Sequence, residues 1–240
     1  MGRGRSGIIL ASILIFLIGA GIYLYPRIQE FFFEHHVESL KEEFLHDKKD
    51  VQETFRDDAD SIETPMDRLY EYMKSENEKL FLEGQYELKD AFSYEQPAVD
   101  LSEYGIEDNC VGFISLPSID MELPIYLGAN KENMKKGAVH LTQTSYPIGG
   151  ENTNCVIAAH RGTSLVMFRN IHKIQIGDEI TITNFRETLH YRAAEIKIIK
   201  PTDVAEIKIQ PGRDLITLIS CNPLGANYQR YALYCERVPN

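Results

Sequence analysis

The rhythm of apolar and polar positions changes three times along this chain. From Gly7 to Tyr25 no residue is charged, a run of 19 residues. As a helix rising about 1.5 Å per residue it covers roughly 28 Å, close to the hydrocarbon thickness of a bilayer. Over residues 26–90 apolar side chains return at multiples of three or four, first Leu40, Phe44, Val51, Phe55 and Ile62, then Leu69, Tyr70, Met73, Leu80 and Leu82. That spacing predicts amphipathic helices, broken near Thr64-Pro65 because the residue before a proline is driven out of helical geometry. Residues 91–106 show no period and read as a connecting loop.

From residue 107 the pattern shortens to β-runs over 111–116, 122–127, 155–159, 179–182, 188–199, 215–221 and 230–238. Turn signals separate them at Gly149-Gly150, Gly177-Asp178, Pro211-Gly212 and Asn222-Pro223-Leu224-Gly225. Many short strands with few helices predict a mainly β domain closed into a barrel. The order along the chain is thus a short N-terminus (1–6), an apolar span (7–25), an acidic helical stalk or appendage (26–90), a loop that could act as a lid (91–106) and a β domain (107–240). The stalk reading lifts the domain off a membrane; the alternative packs one of its helices on the core to shape a groove.

Charge sharpens this division. The chain carries a net charge of −11, which argues against a nucleic-acid partner, since such partners select a basic face. The acidity is concentrated between Arg27 and Glu95, where 20 acidic side chains stand against 9 basic ones. The β domain is close to neutral. Arg3 and Arg5 precede the apolar span and Glu30 and Glu34 follow soon after it, so the positive-inside rule places the N-terminus in the cytoplasm and the β domain outside. No small-x-small cleavage site follows the span, which reads as an uncleaved signal-anchor.

Three side chains then suggest chemistry. Cys221 ends the run Leu215-Ile216-Thr217-Leu218-Ile219-Ser220, His160 ends the run Cys155-Val156-Ile157-Ala158-Ala159, and Arg230 opens the next strand. A thiolate can attack a carbonyl, an imidazole can move protons and a guanidinium can steady an oxyanion, so the set suits acyl transfer. The other reading is a membrane-tethered binding or scaffold protein with a packed core cysteine. With Cys221 as a nucleophile, Cys110, Cys155 and Cys235 remain, an odd number. They are either small buried hydrophobes or include one bridge. Alternation along the last strand turns Cys235 away from the face of Arg230, and so away from Cys221. No cysteine pair has metal-ligand spacing, and neither a metal nor another cofactor is expected. His35 and His36 lie on the stalk and read as solvated, while His172 and His190 lie near or in strand patterns without a matching motif.

From residue 110 onward the chain resembles the sortases, membrane-anchored cysteine transpeptidases of Gram-positive bacteria. The family's Thr-Leu-x-Thr-Cys motif followed by an arginine is met by Thr217-Leu218-Ile219-Ser220-Cys221 and Arg230, with Ser220 in place of the usual threonine; the family's histidine matches His160. Gly137-Ala138-Val139-His140-Leu141, Thr144 to Thr153, His160-Arg161-Gly162, Phe168, Pro201-Thr202-Asp203 and Asn222-Pro223 with Asn227 resemble class C, the pilin polymerases. Many class C members carry a lid with Asp-Pro-aromatic, whereas this chain offers Gln96-Pro97 with Phe92 and Tyr94 upstream. Many also have a second apolar helix where this sequence ends on Val238-Pro239-Asn240.

The resemblance implies an eight-stranded barrel of the sortase type, with Cys221, His160 and Arg230 catalytic. It also implies substrate contacts at Ser220, Thr217, Asn222, Asn227 and His140, and a possible lid at Phe92 and Tyr94. The implied reaction cleaves a Leu-Pro-x-Thr-Gly-like sorting signal through a thioester and passes the acyl group to a pilin lysine, or alternatively to a cell-wall precursor amine. The implied partners are sorting-signal proteins and the cell membrane.

Overall fold

The computed structural model describes residues 3–54, 64–85, 88, 99–106, 108–162 and 167–239. The chain divides into two units, Met1–Glu38 and Ser39–Asn240. In the first, the apolar span is helical, within a helix α1 assigned over Arg3–Thr54. It is the one described helix long and apolar enough to cross a membrane.

The second unit is built on eight strands: β1 (Cys110–Leu116), β2 (Met121–Leu127), β3 (Ala138–His140), β4 (Thr153–Ala158), β5 (Glu179–Asn184), β6 (Thr188–Ile199), β7 (Asp214–Asn222) and β8 (Gln229–Arg237). They close in the order β1-β2-β3-β4-β7-β8-β6-β5, with β5 pairing back onto β1. Closure leaves no sheet edge with unpaired backbone groups. Two neighbours, β2–β3 and β4–β7, are parallel and the rest antiparallel. Seven of the strands lie within two residues of the expected runs. The eighth, β3, has three residues, too few to show a period of two. A short helix over Lys131–Lys136, capped by the Asn130 side chain, leads into it. Gly137 then lets the chain pass β2 closely, since a Cβ there would lie 2.6 Å from the Pro124 carbonyl oxygen.

Alternation sorts the strands into two faces. Cys155, Ile157, Ile216, Leu218, Leu233 and Cys235 point into the barrel and are buried. Asn154, Val156, Ala158, Thr217, Ile219, Ala232 and Tyr234 point the other way and are buried as well. The long β6–β7 connection, residues 200–213, packs over that outer face: the Tyr234 hydroxyl donates to the Glu206 carbonyl at 2.9 Å.

The acidic segment is more than a spacer. Helix α2 (Pro65–Glu83) starts at the expected break, with Thr64 and Asp67 forming a reciprocal capping box. Its buried face is Leu69, Met73 and Asn77, spaced four apart. The pattern of apolar positions had pointed to Leu80 and Leu82 instead of a polar residue, yet Leu82 is exposed. Asn77 is buried because its Oδ1 accepts the Tyr146 backbone N–H at 2.7 Å. Tyr70 receives the Arg186 guanidinium 4.0 Å from its ring centroid. Farther upstream Lys41 pairs with Glu122 at 2.6 Å and Phe44 meets Phe113 edge-on. Both helical stretches therefore make contacts with the barrel and its loops. Of the loop that follows, Leu101–Tyr104 forms a 3-10 turn with Leu101 buried; Phe92 and Tyr94 lie outside the described residues.

Candidate active site

Strands β4, β7 and β8 are consecutive in the barrel and bring three side chains to one end of it. Cys221 and Arg230 are direct cross-strand partners, so their side chains share a face. On the parallel pair, Ala158 stands opposite Ile219, and the Ala159 N–H still donates to the Ile219 carbonyl at 3.2 Å. His160 lies two residues past Ala158, as Cys221 lies two past Ile219. The His160 carbonyl accepts the Phe168 N–H at 3.0 Å, which closes the following loop at its base.

Cys221 is the chain's one cysteine that is not buried. Desolvation raises the other three thiols, Cys110 to about 12 and Cys155 and Cys235 further still, so they stay protonated and inert. No disulfide joins any two of the four, and Cys155 and Cys235 flank Ile216 on separate strands. The His160 imidazole is half-buried, and desolvation lowers its pKa below the ordinary value of 6.5. Arg230 is 6% exposed. Its Nη1 donates to the carbonyls of Asn227 at 2.7 Å and Gln229 at 3.2 Å, which fixes the plane of the fork.

Beside Arg230 a shallow concavity is lined by Ile219, Ile199, Pro201, Val204 and Ile207, together with Lys200 and Asp203. Its wall, the β6–β7 connection, has no regular ladder and is held by amides. The Asn154 Nδ2 donates to the carbonyls of Ile207 at 2.9 Å and Lys208 at 3.3 Å. The Gln85 Oε1 accepts the Ile209 N–H at 2.7 Å while its Nε2 donates to the Gln143 carbonyl at 3.0 Å. Neither Asn154 nor Gln85 stands in a motif; a buried amide carries no periodic signal in the sequence.

The other residues suggested by resemblance fall in different places. Thr217 is fully buried beneath the connection and donates its hydroxyl to the Asn154 Oδ1 at 2.8 Å, orienting the amide that holds the wall. Ser220 is fully buried on the opposite face from Cys221, with its Oγ unpartnered among the described residues. Asn222 also turns to that opposite face and contacts Arg161. Asn227 is exposed and offers its carbonyl to Arg230.

His140 is 1% exposed. Its Nε2 lies 3.2 Å from the Thr144 carbonyl and 3.0 Å from that of Ser145, so it donates to both, and its ring stacks on Tyr146. It braces the β3–β4 loop and presents nothing to the groove. Among the described residues no group of three His, Cys, Asp or Glu side chains is gathered to hold a metal.

His140 carries a pH prediction. Burial pushes its imidazole down to about 4. A group whose folded pKa lies below its unfolded value contributes stability that is fully present above about pH 6.5. That contribution fades as pH falls toward 4, where the unfolded chain binds the extra proton. We expect the stability gap between wild type and His140→Gln, whose amide can still donate, to shrink as pH falls from 7 to 4.5. The contribution at stake is about 3 kcal/mol at most. Denaturant titrations of both proteins across that range check it, and parallel curves would exclude His140 as the source.

Comparison with known proteins agrees with this geometry. Residues 114–238, just over half of the chain, match the family model described as Sortase domain. Sortase D of Bacillus subtilis is 29% identical over 130 residues, 53% of this chain and 63% of that protein. The chain thus spans less than two thirds of that relative's length. Among solved structures, sortase C1 of pilus island 1 of group B Streptococcus is 29% identical. It covers 75% of this chain and 86% of its own, with a TM-score of 0.67. Sortase C of Streptococcus pneumoniae is 26% identical, covers 84% of this chain and 97% of its own, and superposes with a TM-score of 0.71. An eight-stranded closed barrel, a thiol and a guanidinium paired across β7 and β8, and a family match from within β1 to the end of β8 together lead to one assignment: the chain belongs to the sortase family.

Proposed function

We propose that this chain is a cell-surface cysteine transpeptidase that joins pilin subunits. The observation that carries the reading is the direct pairing of Cys221 with Arg230, with His160 two residues past the end of the adjoining strand β4. A sorting signal of the Leu-Pro-x-Thr-Gly kind lies in the groove walled by the β6–β7 connection. The Cys221 thiol gives its proton to His160 as its sulfur attacks the threonine carbonyl carbon, and Arg230 donates to the oxyanion of the tetrahedral intermediate. The Thr–Gly C–N bond breaks as His160 protonates the departing glycine amine, leaving a thioester. A lysine amine of the next pilin then attacks that thioester. His160 takes its proton, the C–S bond breaks, and an isopeptide bond replaces it.

The lowered pKa of His160 keeps the imidazole ready to accept a proton from the second amine. Residues 7–25 anchor the enzyme with its N-terminus inside. The names of the solved relatives support the acceptor, one belonging to a pilus island and one described with pilin substrate specificity. The test is co-expression with a sorting-signal protein. A high-molecular-weight ladder that survives boiling in detergent is expected. Only monomer joined to cell-wall fragments would replace the pilin lysine by a cell-wall amine, and neither product would remove the transpeptidase reading.

A further inference from the structure

On the face opposite the groove, directly behind the three site residues, lies a second set of three. Arg161 follows His160 in the chain, Asn222 follows Cys221, and Gln229 precedes Arg230. Alternation sends each of them to the other side of its strand. There the Arg161 Nη1 donates to the Asn222 Oδ1 at 2.9 Å and to the Cys221 carbonyl at 3.3 Å. The Asn222 Nδ2 in turn donates to the Gln229 Oε1 at 3.1 Å. The Arg161 guanidinium also lies 5.4 Å from the Tyr231 ring centroid.

Two facts set this chain of contacts apart from ordinary packing. Arg161 is 8% exposed, its Nε is unpartnered, and no carboxylate pairs with it among the described residues. A buried guanidinium without a counter-ion costs stability, so the fold alone gives no reason to keep it. It also sits where the backbone ladder stops. β4 ends at Ala158, the last backbone bond toward β7 is that of Ala159, and the β7–β8 pairing ends at Asn222 and Gln229. His160, Cys221 and Arg230 therefore stand on strand ends with little or no pairing beyond them.

We infer that Arg161, Asn222 and Gln229 are positioning residues. Their side chains link the three strand ends where backbone hydrogen bonds run out, and so hold His160, Cys221 and Arg230 at working distance. The inference rests on the transpeptidase reading of that face. It explains why a polar chain is built behind the site, since a misplacement of about 1 Å can cost on the order of 100-fold in rate.

The test uses the full chain in detergent and a peptide containing Leu-Pro-Glu-Thr-Gly, with thioester formation in a single turnover read by mass spectrometry. Gln229→Leu removes the acceptor for Asn222, whereas Gln229→Glu keeps one. The expected result is a fall of about 10- to 100-fold in the acylation rate constant for Gln229→Leu, with half-saturation by peptide within about twofold of wild type. Gln229→Glu should stay within about threefold. The double variant Arg161→Gln/Gln229→Leu should lose no more than Arg161→Gln alone, because links in series fail together. Gln229 is half-buried at a strand end, so its pair of variants decides the matter even if Arg161→Gln does not fold.

A Gln229→Leu enzyme within twofold of wild type, equal losses in the Leu and Glu variants, or a loss confined to half-saturation would overturn the relay. If wild type itself forms no thioester, the transpeptidase reading fails instead. The relay is then judged by iodoacetamide: the pH of half-maximal alkylation of Cys221 should rise in Gln229→Leu and not in Gln229→Glu. An unmoved midpoint would reject it.

Discussion

Cys221→Ala is expected to abolish the covalent intermediate and leave the barrel intact. Cys221 is the half-buried last-but-one residue of β7, after six residues that are buried. Trimming its sulfur therefore opens no core cavity and should move the melting temperature by no more than a few degrees. The chemistry has no substitute: the other three thiols are buried in their own packing, with pKa values raised by desolvation. Incubation of wild type with a sorting-signal peptide should give a mass increase equal to the acyl fragment, and the alanine variant none. A variant retaining more than a few per cent of transpeptidation would remove Cys221 from the reaction.

Arg230→Lys should be nearly as damaging although charge is kept. Arg230 spends Nη1 on the carbonyls of Asn227 and Gln229, and the rest of its planar fork is then aimed by those bonds. An ammonium is a point donor on a flexible stem and cannot hold two carbonyls while presenting a fixed donor to an oxyanion. Loss of one such donor costs about 100- to 1,000-fold in kcat in comparable sites. The expected signature is a fall in kcat well beyond any rise in KM, measured by peptide cleavage alongside thermal melting. Near-wild-type turnover would exclude the oxyanion role.

Much of this arrangement was legible in the sequence for a physical reason: strands buried on both faces leave unbroken apolar runs, and Cys221 and His160 each sit where such a run stops. Arg230 was legible as the polar opening of the next run. The amphipathic helices declared themselves by spacing, but not what they pack against, because Asn77 and Gln85 act through single amide contacts. The Gln85–Ile209 bond joins residues 124 positions apart. The strand β3 was too short to show a period. The flanking residues Arg161, Asn222 and Gln229 were visible only as neighbours of the site, since the sequence does not show which side chains meet behind a sheet. Likewise Thr217 and Ser220 share a motif with Cys221, yet one is buried beneath the β6–β7 connection and the other faces away from Cys221.

The order of strands around the barrel has a consequence for how the molecule comes into being. β4, β7 and β8 are neighbours in space, while β5 and β6 are made between β4 and β7 and close the far side. Cys221 and Arg230 lie on β7 and β8, the last two strands in chain order. As the polypeptide is synthesised, His160 is finished long before it has anything to act with. Such long-range pairing raises contact order and slows folding, and it also delays reactivity. On the reading proposed above, a chain that has not closed its barrel lacks the pairing that sets Cys221 beside Arg230, so competence for acyl transfer arrives with closure and reports it.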